Sequence, residues 1–153
     1  MADNESDFER RLQNAIWGMP VLRPDEQHRC LGTFYERIDL RVSFQQALQR
    51  DFTLELTQEI HLHPEYYLLF NGKLDDDILS QYVGMAQRTQ TQFAIRNDRL
   101  YRYERESAAI ILASLGAINM PTIDIVERFP EPFVETTSNR AGSFWNWLFK
   151  MKH

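Results

Sequence analysis

The sequence predicts an α/β fold, and three observations predict it. Ile38, Leu40, Val42 and Phe44 alternate with Arg37, Asp39, Arg41 and Ser43, the period-2 pattern of a strand with one covered face. Tyr66 to Phe70 and Ala108 to Leu115 are continuous apolar runs of strand length, which suits strands in the interior of a sheet. Between those runs Ile78, Leu79, Tyr82, Val83, Met85 and Ala86 recur at helical spacing, with Asp75, Asp76 and Asp77 where acids complement the positive end of a helix.

Taken in order, residues 1–7 alternate acids with small polar groups and are expected to fray. Phe8, Leu12, Ala15 and Ile16 then mark an extra N-terminal helix, ended by Gly18 and Pro20. Pro24, Asp25 and Glu26 suit the first turn of a short second helix that Gly32 terminates. The alternating segment supplies the first strand. From Gln45 to Leu62 an imperfect helical period continues until His63-Pro64 stops it, because the residue before proline avoids the helical region. The apolar run 66–70 is the second strand, closed by the turn-forming pair Asn71-Gly72. After the helix of Ile78 to Ala86, Phe93 to Ile95 gives a third strand and the run 108–115 a fourth, and 96–106 reads as a hairpin between them. Ile123 to Val126 is expected to add an edge strand or to cover the sheet, and Pro130 and Pro132 break regular structure.

These elements fit one domain over residues 1–135, followed over 136–153 by a flexible spacer and a short aromatic segment expected to be helical. The hydrophobic fraction of 43% is enough for a packed core and the charged fraction of 25% is ordinary for a folded chain. A net charge of −5 and a pI near 5.4 argue against the diffuse basic surface of nonspecific nucleic-acid binders, and no DNA partner is expected. One cysteine, Cys30, excludes an internal disulfide. No apolar stretch has the form of a signal peptide or the length of a membrane span, so a cytoplasmic location is expected.

Arg23-Pro24-Asp25-Glu26, then Leu31-Gly32-Thr33-Phe34 with Glu36-Arg37, and later Asn71-Gly72 with Tyr82, Met85 and Ala86 give the sequence a further character. In their order and spacing it resembles the YueI-like family of bacterial proteins from about Gly18 to Val126. The resemblance implies a two-layer fold on a mixed β-sheet built in β-α-β-α-β-β order, as in the chorismate-mutase-like and L30-like fold group. That group holds both RNA binders and trimeric small-molecule enzymes, so fold does not select function. The aromatic C-terminal segment departs from the family pattern.

No GxGxxG, Walker loop, GxSxG or HExxH is present, and no catalytic residue, cofactor or metal is assigned. Glu36 and Arg37 adjoin the first strand, and Asn71 and Gly72 follow the second, where ligands of α/β sheets collect. These four are candidates for a ligand or partner surface. Their bland alternatives are an ion pair and a tight turn. Arg96, Arg99, Arg102 and Arg105 with Tyr101 and Tyr103 have the composition of an RNA contact, guanidinium for phosphate and phenol for base. Asp98, Glu104 and Glu106 nearly cancel that charge, as on an ordinary solvated surface. His61 and His63 lack the cysteine or acidic partners of a zinc site, and three consecutive aspartates on a helix do not share a face. In the aromatic segment Phe144, Trp145, Trp147, Leu148 and Phe149 make a wide apolar surface that will seek cover from the domain or a sister subunit, from a protein partner, or from a membrane interface. The leading expectation is a non-enzymatic protein-interaction or regulatory module, with homo-oligomerisation as a companion. The alternatives are an RNA-binding module through 96–106 and a small-molecule enzyme with an intersubunit site.

Overall fold

The computed structural model describes Phe8, Arg11 and residues 24–97 and 104–133. The readings of 1–7 and of the 136–153 segment, and the positions of Arg99, Tyr101, Arg102 and Tyr103, lie outside the described residues. A four-stranded mixed sheet is built from β1 (Ile38–Ser43), β2 (Tyr67–Asn71), β3 (Phe93–Arg96) and β4 (Ala108–Ala113), in the spatial order β1-β4-β2-β3. The helices are α1 (Pro24–Arg29), α2 (Phe44–Gln49), α3 (Thr53–Leu62), α4 (Asp76–Arg88) and α5 (Ile125–Arg128).

β4 is antiparallel to both β1 and β2, while β2 and β3 are parallel. β1, β2 and β3 therefore run in one direction and their carboxyl ends share one end of the sheet. β2 lies between β3 and β4, so the segment joining those strands is a crossover and the hairpin expected at 96–106 does not form. Two consecutive strands read from sequence suggest a hairpin, but here β4 finds its partners in β1 and β2 instead.

Two apolar clusters cover the sheet. Leu40, Val42, Leu68, Phe70, Ile110 and Leu112 meet Phe52, Leu56 and Ile60 of the α3 segment and Tyr82, Met85 and Ala86 of α4. Ile38, Tyr67, Leu69, Ala94, Ile111 and Ala113 form a second cluster with Phe8, Cys30 and Leu31. The arrangement has cover on both faces rather than the two layers expected, which is why β2 and β4 are buried at every position. Phe8 and Arg11 are helical, in line with the predicted N-terminal helix, and Phe8 packs edge-on against Tyr67 at 5.5 Å.

The one-sided pattern read in β1 is also corrected, because only Arg41 escapes burial there. Ile38 pairs with Ala113 but Leu40 pairs with Leu112, so Asp39 is the extra residue of a β-bulge. The bulge reverses the alternation. Ile38 joins the second cluster and Leu40 the first, although both occupy even positions.

Local signals explain the remaining boundaries. Ser43 ends β1 and starts α2 through a capping box: its hydroxyl accepts from the Gln46 amide (3.1 Å) while its own amide donates to Gln46 Oε1 (2.9 Å). The single helix predicted over 45–62 is two. Asp51 Oδ1 accepts from the Thr53 amide (2.8 Å), the local side-chain bond that competes with helix continuation, and Arg50 is extended. Gly32 ends α1 as predicted, with Leu31 before it in the left-handed region at φ 53° and the Gly32 amide donating to the Gln27 carbonyl (2.7 Å). Ile123 to Val126 covers the β1 edge. The Arg41 amide donates to the Ile123 carbonyl (2.7 Å), Arg41 and Asp124 form an isolated parallel bridge, and α5 follows.

Tyr82 joins α4 to the break between α2 and α3: the buried Phe52 amide donates to its phenolic oxygen at 2.9 Å. Tyr82→Phe keeps the ring but leaves that amide without an acceptor, and is expected to lower the unfolding free energy by about 1–3 kcal/mol in urea titrations, with an unchanged m-value.

Candidate functional site

The carboxyl ends of β1 and β2, where ligands of α/β sheets tend to bind, open into a cleft of about 500 Å³. α2 contributes Phe44, Gln45, Leu48 and Gln49 to it, the β2–α4 connection Lys73, Leu74 and Asp75, α4 Ile78, and the chain entering β4 Glu104 and Arg105. Leu48 is 65% exposed, an unusual position for a leucine beside three further apolar lining residues. Lys73 and Arg105 balance Asp75 and Glu104 in formal charge, so the cleft shows no preference for an anion or a cation.

A second cleft of about 370 Å³ shares Glu104 and is lined by His28, Arg29, Leu31 and Tyr35 and by Arg41 with Glu106, Ser107 and Ala108. The Arg41 guanidinium donates to the Glu106 carbonyl. Backbone bonds fasten the shared wall: the Phe44 amide donates to the Ser107 carbonyl (3.1 Å), the Gln45 amide to the Arg105 carbonyl (3.0 Å), and Ser107 Oγ accepts from the Glu104 amide (3.0 Å).

The four surface candidates are not brought together. Glu36 and Arg37 precede β1 at the opposite end of the sheet from Asn71 and Gly72. The Glu36 carbonyl accepts from the Ile118 and Asn119 amides (2.6 and 2.9 Å), the Arg37 carbonyl from the Ser114 amide (2.8 Å), and the buried Arg37 guanidinium lies 5.3 Å from the centre of the Phe34 ring. Asn71 is 1% exposed; its Nδ2 donates to the Ala108 carbonyl (3.3 Å) and its Oδ1 accepts from the Lys73 amide (3.0 Å). At Gly72 a Cβ would come within 1.7 Å of Asn97 Oδ1, so the two strand ends approach through a position that only glycine fills without displacement. Of the arginines proposed for RNA, Arg96 ends β3 and accepts the Gly72 amide through its carbonyl (2.8 Å), and Arg105 lines the first cleft. Phe144, Trp145, Trp147, Leu148 and Phe149 lie outside the described residues.

Among the groups with strongly displaced acidity, Cys30 stands between Arg29 and Leu31 of the second cleft, and Glu59 on α3 lines neither cleft. Burial pushes the Cys30 thiol up to about 12, fitting a buried structural cysteine. Burial and the neighbouring Asp39 raise Glu59 from 4.5 to about 7, beneath Arg128. Among the described residues no group of three or more His, Cys, Asp and Glu side chains is arranged to hold a metal ion, and no helix is long and apolar enough to cross a membrane.

Residues 5–124 match a family described as "Protein of unknown function (DUF1694)". The chain belongs to this family. It is 30% identical over 122 residues to "Uncharacterized protein YueI" of Bacillus subtilis (strain 168), covering 80% of this chain and 90% of that protein. The crystal structure of YueI superposes with a TM-score of 0.60 at 29% identity, covering 78% of this chain and 91% of that one. The resemblance read from the Arg23-to-Arg37 elements and from Asn71-Gly72 is thereby confirmed, as is the α/β class with its mixed sheet. The family match stops at Asp124, so both clefts fall within it while Arg128 lies beyond.

Asn71 acts here as a brace between the end of β2 and the start of β4. Asn71→Ala is expected to cost about 1–3 kcal/mol in chemical denaturation, because a buried carbonyl loses its donor. Cys30 is expected to resist aromatic disulfide reagents at mildly alkaline pH until the chain is denatured.

Proposed function

We propose that the domain is a non-enzymatic interaction module of the cytoplasm that receives a segment of a protein partner in the cleft between α2 and the β2–α4 connection. Leu48 carries the reading. It stands largely in solvent on the wall of a 500 Å³ cleft, with Phe44, Leu74 and Ile78 lining the same space and charges of both signs around them. A partner's apolar side chain entering there gains roughly 1.5–3 kcal/mol from burial, and the mixed charges fix orientation more than they add affinity. The shifted carboxyl of Glu59 lies outside this lining and is taken up by Arg128. A buried thiol and no disulfide accord with a reducing compartment.

A second reading, RNA binding through 96–106, is favoured by one observation. Arg96 ends β3 and Arg105 precedes β4 at the same end of the sheet, and Arg105 lines the first cleft, so two of the arginines proposed for RNA share that end. Glu104 and Glu106 flank Arg105 and weaken the case. Homo-oligomerisation and docking of the aromatic C-terminal segment remain part of the proposal, the first suggested by analogy with the chorismate-mutase-like and L30-like group and the second by its composition.

Photo-crosslinking from position 48 in living cells is expected to give one defined protein adduct, and Ile78→Asp in the facing wall to abolish it. With that partner purified, Leu48→Asp is expected to weaken binding at least tenfold, about 1.4 kcal/mol, at unchanged circular dichroism. An adduct indifferent to Ile78→Asp, or turnover of a metabolite by the purified chain, would overturn the reading. Salt-sensitive binding of structured RNA that Arg96→Ala and Arg105→Ala diminish would favour the second reading instead.

A further inference from the structure

Residues 122–133 form a strap that crosses the outer edge of β1 and then runs along α3. Ile123 and Asp124 meet Arg41, Gln46 Nε2 donates to both carboxylate oxygens of Asp124 (3.1 Å each), Ile125 enters the core, and the Phe133 amide donates to Glu55 Oε2 (3.2 Å). Midway, one guanidinium clamps two acids from different elements. Arg128 Nη1 lies 2.9 Å from Asp39 Oδ1 and Nη2 lies 3.0 Å from Glu59 Oε2, while Nη1 also donates to the Asp39 carbonyl (2.8 Å).

Two carboxyls held by the two ends of one guanidinium are themselves close neighbours. Asp39 is 1% exposed at its bulge and Glu59 7% exposed on α3, so water screens little of their mutual repulsion. Asp39 Oδ2 is buried with no hydrogen-bond partner among the described residues. Both groups are acceptors when ionised. A proton on Glu59 supplies the donor that Asp39 Oδ2 lacks and reduces the cluster from two negative charges and one positive to one of each. Among the described residues Tyr66, ahead of β2, also faces the cluster and adds to its negative side when ionised, and the exposed Glu65 lies beside Tyr66. His63 stacks on Tyr66 at 4.5 Å and lies 3.8 Å from Glu65.

We propose that Asp39 and Glu59 share one proton beneath Arg128, and that loss of this proton loosens the strap over residues 122–133, making it a pH-operated cover for the edge of β1. The shift of Glu59 from 4.5 to about 7 agrees in sign. A carboxyl whose acidity is weakened in the closed state favours closure while protonated, and that contribution is lost as pH rises through 7. Opening the strap returns Glu59 to water and uncovers the Arg41 amide, a free β-edge donor.

Hydrogen exchange of the full chain tests this. Between pH 6 and pH 8, after correction for the intrinsic rate, protection of the Arg41, Arg128 and Phe129 amides is expected to fall about tenfold, the ratio that linkage gives for these two acidities. Amides in the β2–β4 pairing are expected to keep their protection, which separates strap opening from global unfolding. Glu59→Gln places a permanent donor beside Asp39 and is expected to flatten the response. Equal protection at both pH values, or the same tenfold fall in Glu59→Gln, would overturn the proposal. A carbon-13 titration of the Glu59 carboxyl in the unaltered chain gives an independent reading that does not depend on the variant folding. A midpoint near 7 supports the shared proton and a midpoint in the ordinary carboxylate range rejects it.

Discussion

β4 pairs on one side with β1 and, over Ile110–Ala113, on the other with β2, and every residue from Ala108 to Ala113 is buried. A strand so enclosed needs apolar cover on both faces, and the rest of the chain is arranged to supply it. α3 and α4 take one face and Phe8 with the Cys30–Leu31 corner takes the other. The bulge at Asp39 follows from the same demand, because it lets β1 offer Leu40 and Val42 to the helices and Ile38 to the opposite cluster. The extra residue arrives with a carboxyl group, and Arg128 neutralises what the bulge would otherwise bury alone.

Much of this framework was legible in the sequence because apolar periodicity reports burial directly. The runs at 66–70 and 108–115 and the stripe of α4 were read within a residue or two of their ends. Where periodicity misled, a local polar interaction had overruled it. Asp51, bonded to the Thr53 amide, splits the helix expected over 45–62, and the Ser43-to-Gln46 capping box moves Phe44 from strand to helix. The capping-box spacing, serine followed three residues later by glutamine, is nonetheless a signal the sequence carries. No such signal announces the cluster at Asp39. Asp39 and Arg128 are 89 residues apart, and the alternation of β1 placed Asp39 on a solvent face.

The candidate surface was less legible for a related reason. Asn71-Gly72 was identified at the right end of the sheet, yet its side chain and its lack of one serve strand closure. The residues that line the adjoining cleft come from α2, the β2–α4 connection and the entry to β4, and Leu48 looks in sequence like any leucine of an amphipathic helix. Which apolar residue stays outside the core depends on where α2 ends. That end is set by Arg50 and Asp51, not by the pattern itself.

The placing of β4 between β1 and β2 bears on how the chain is made. During synthesis β1 and β2 emerge well before β4, and until it arrives neither has the neighbour it shares with the other. The nascent sheet thus closes at its middle, over contacts distant in sequence, which slows folding and exposes two unpaired strand edges in the interval. β3, reached through the α4 crossover, can pair with β2 on one side of the gap before the central strand arrives.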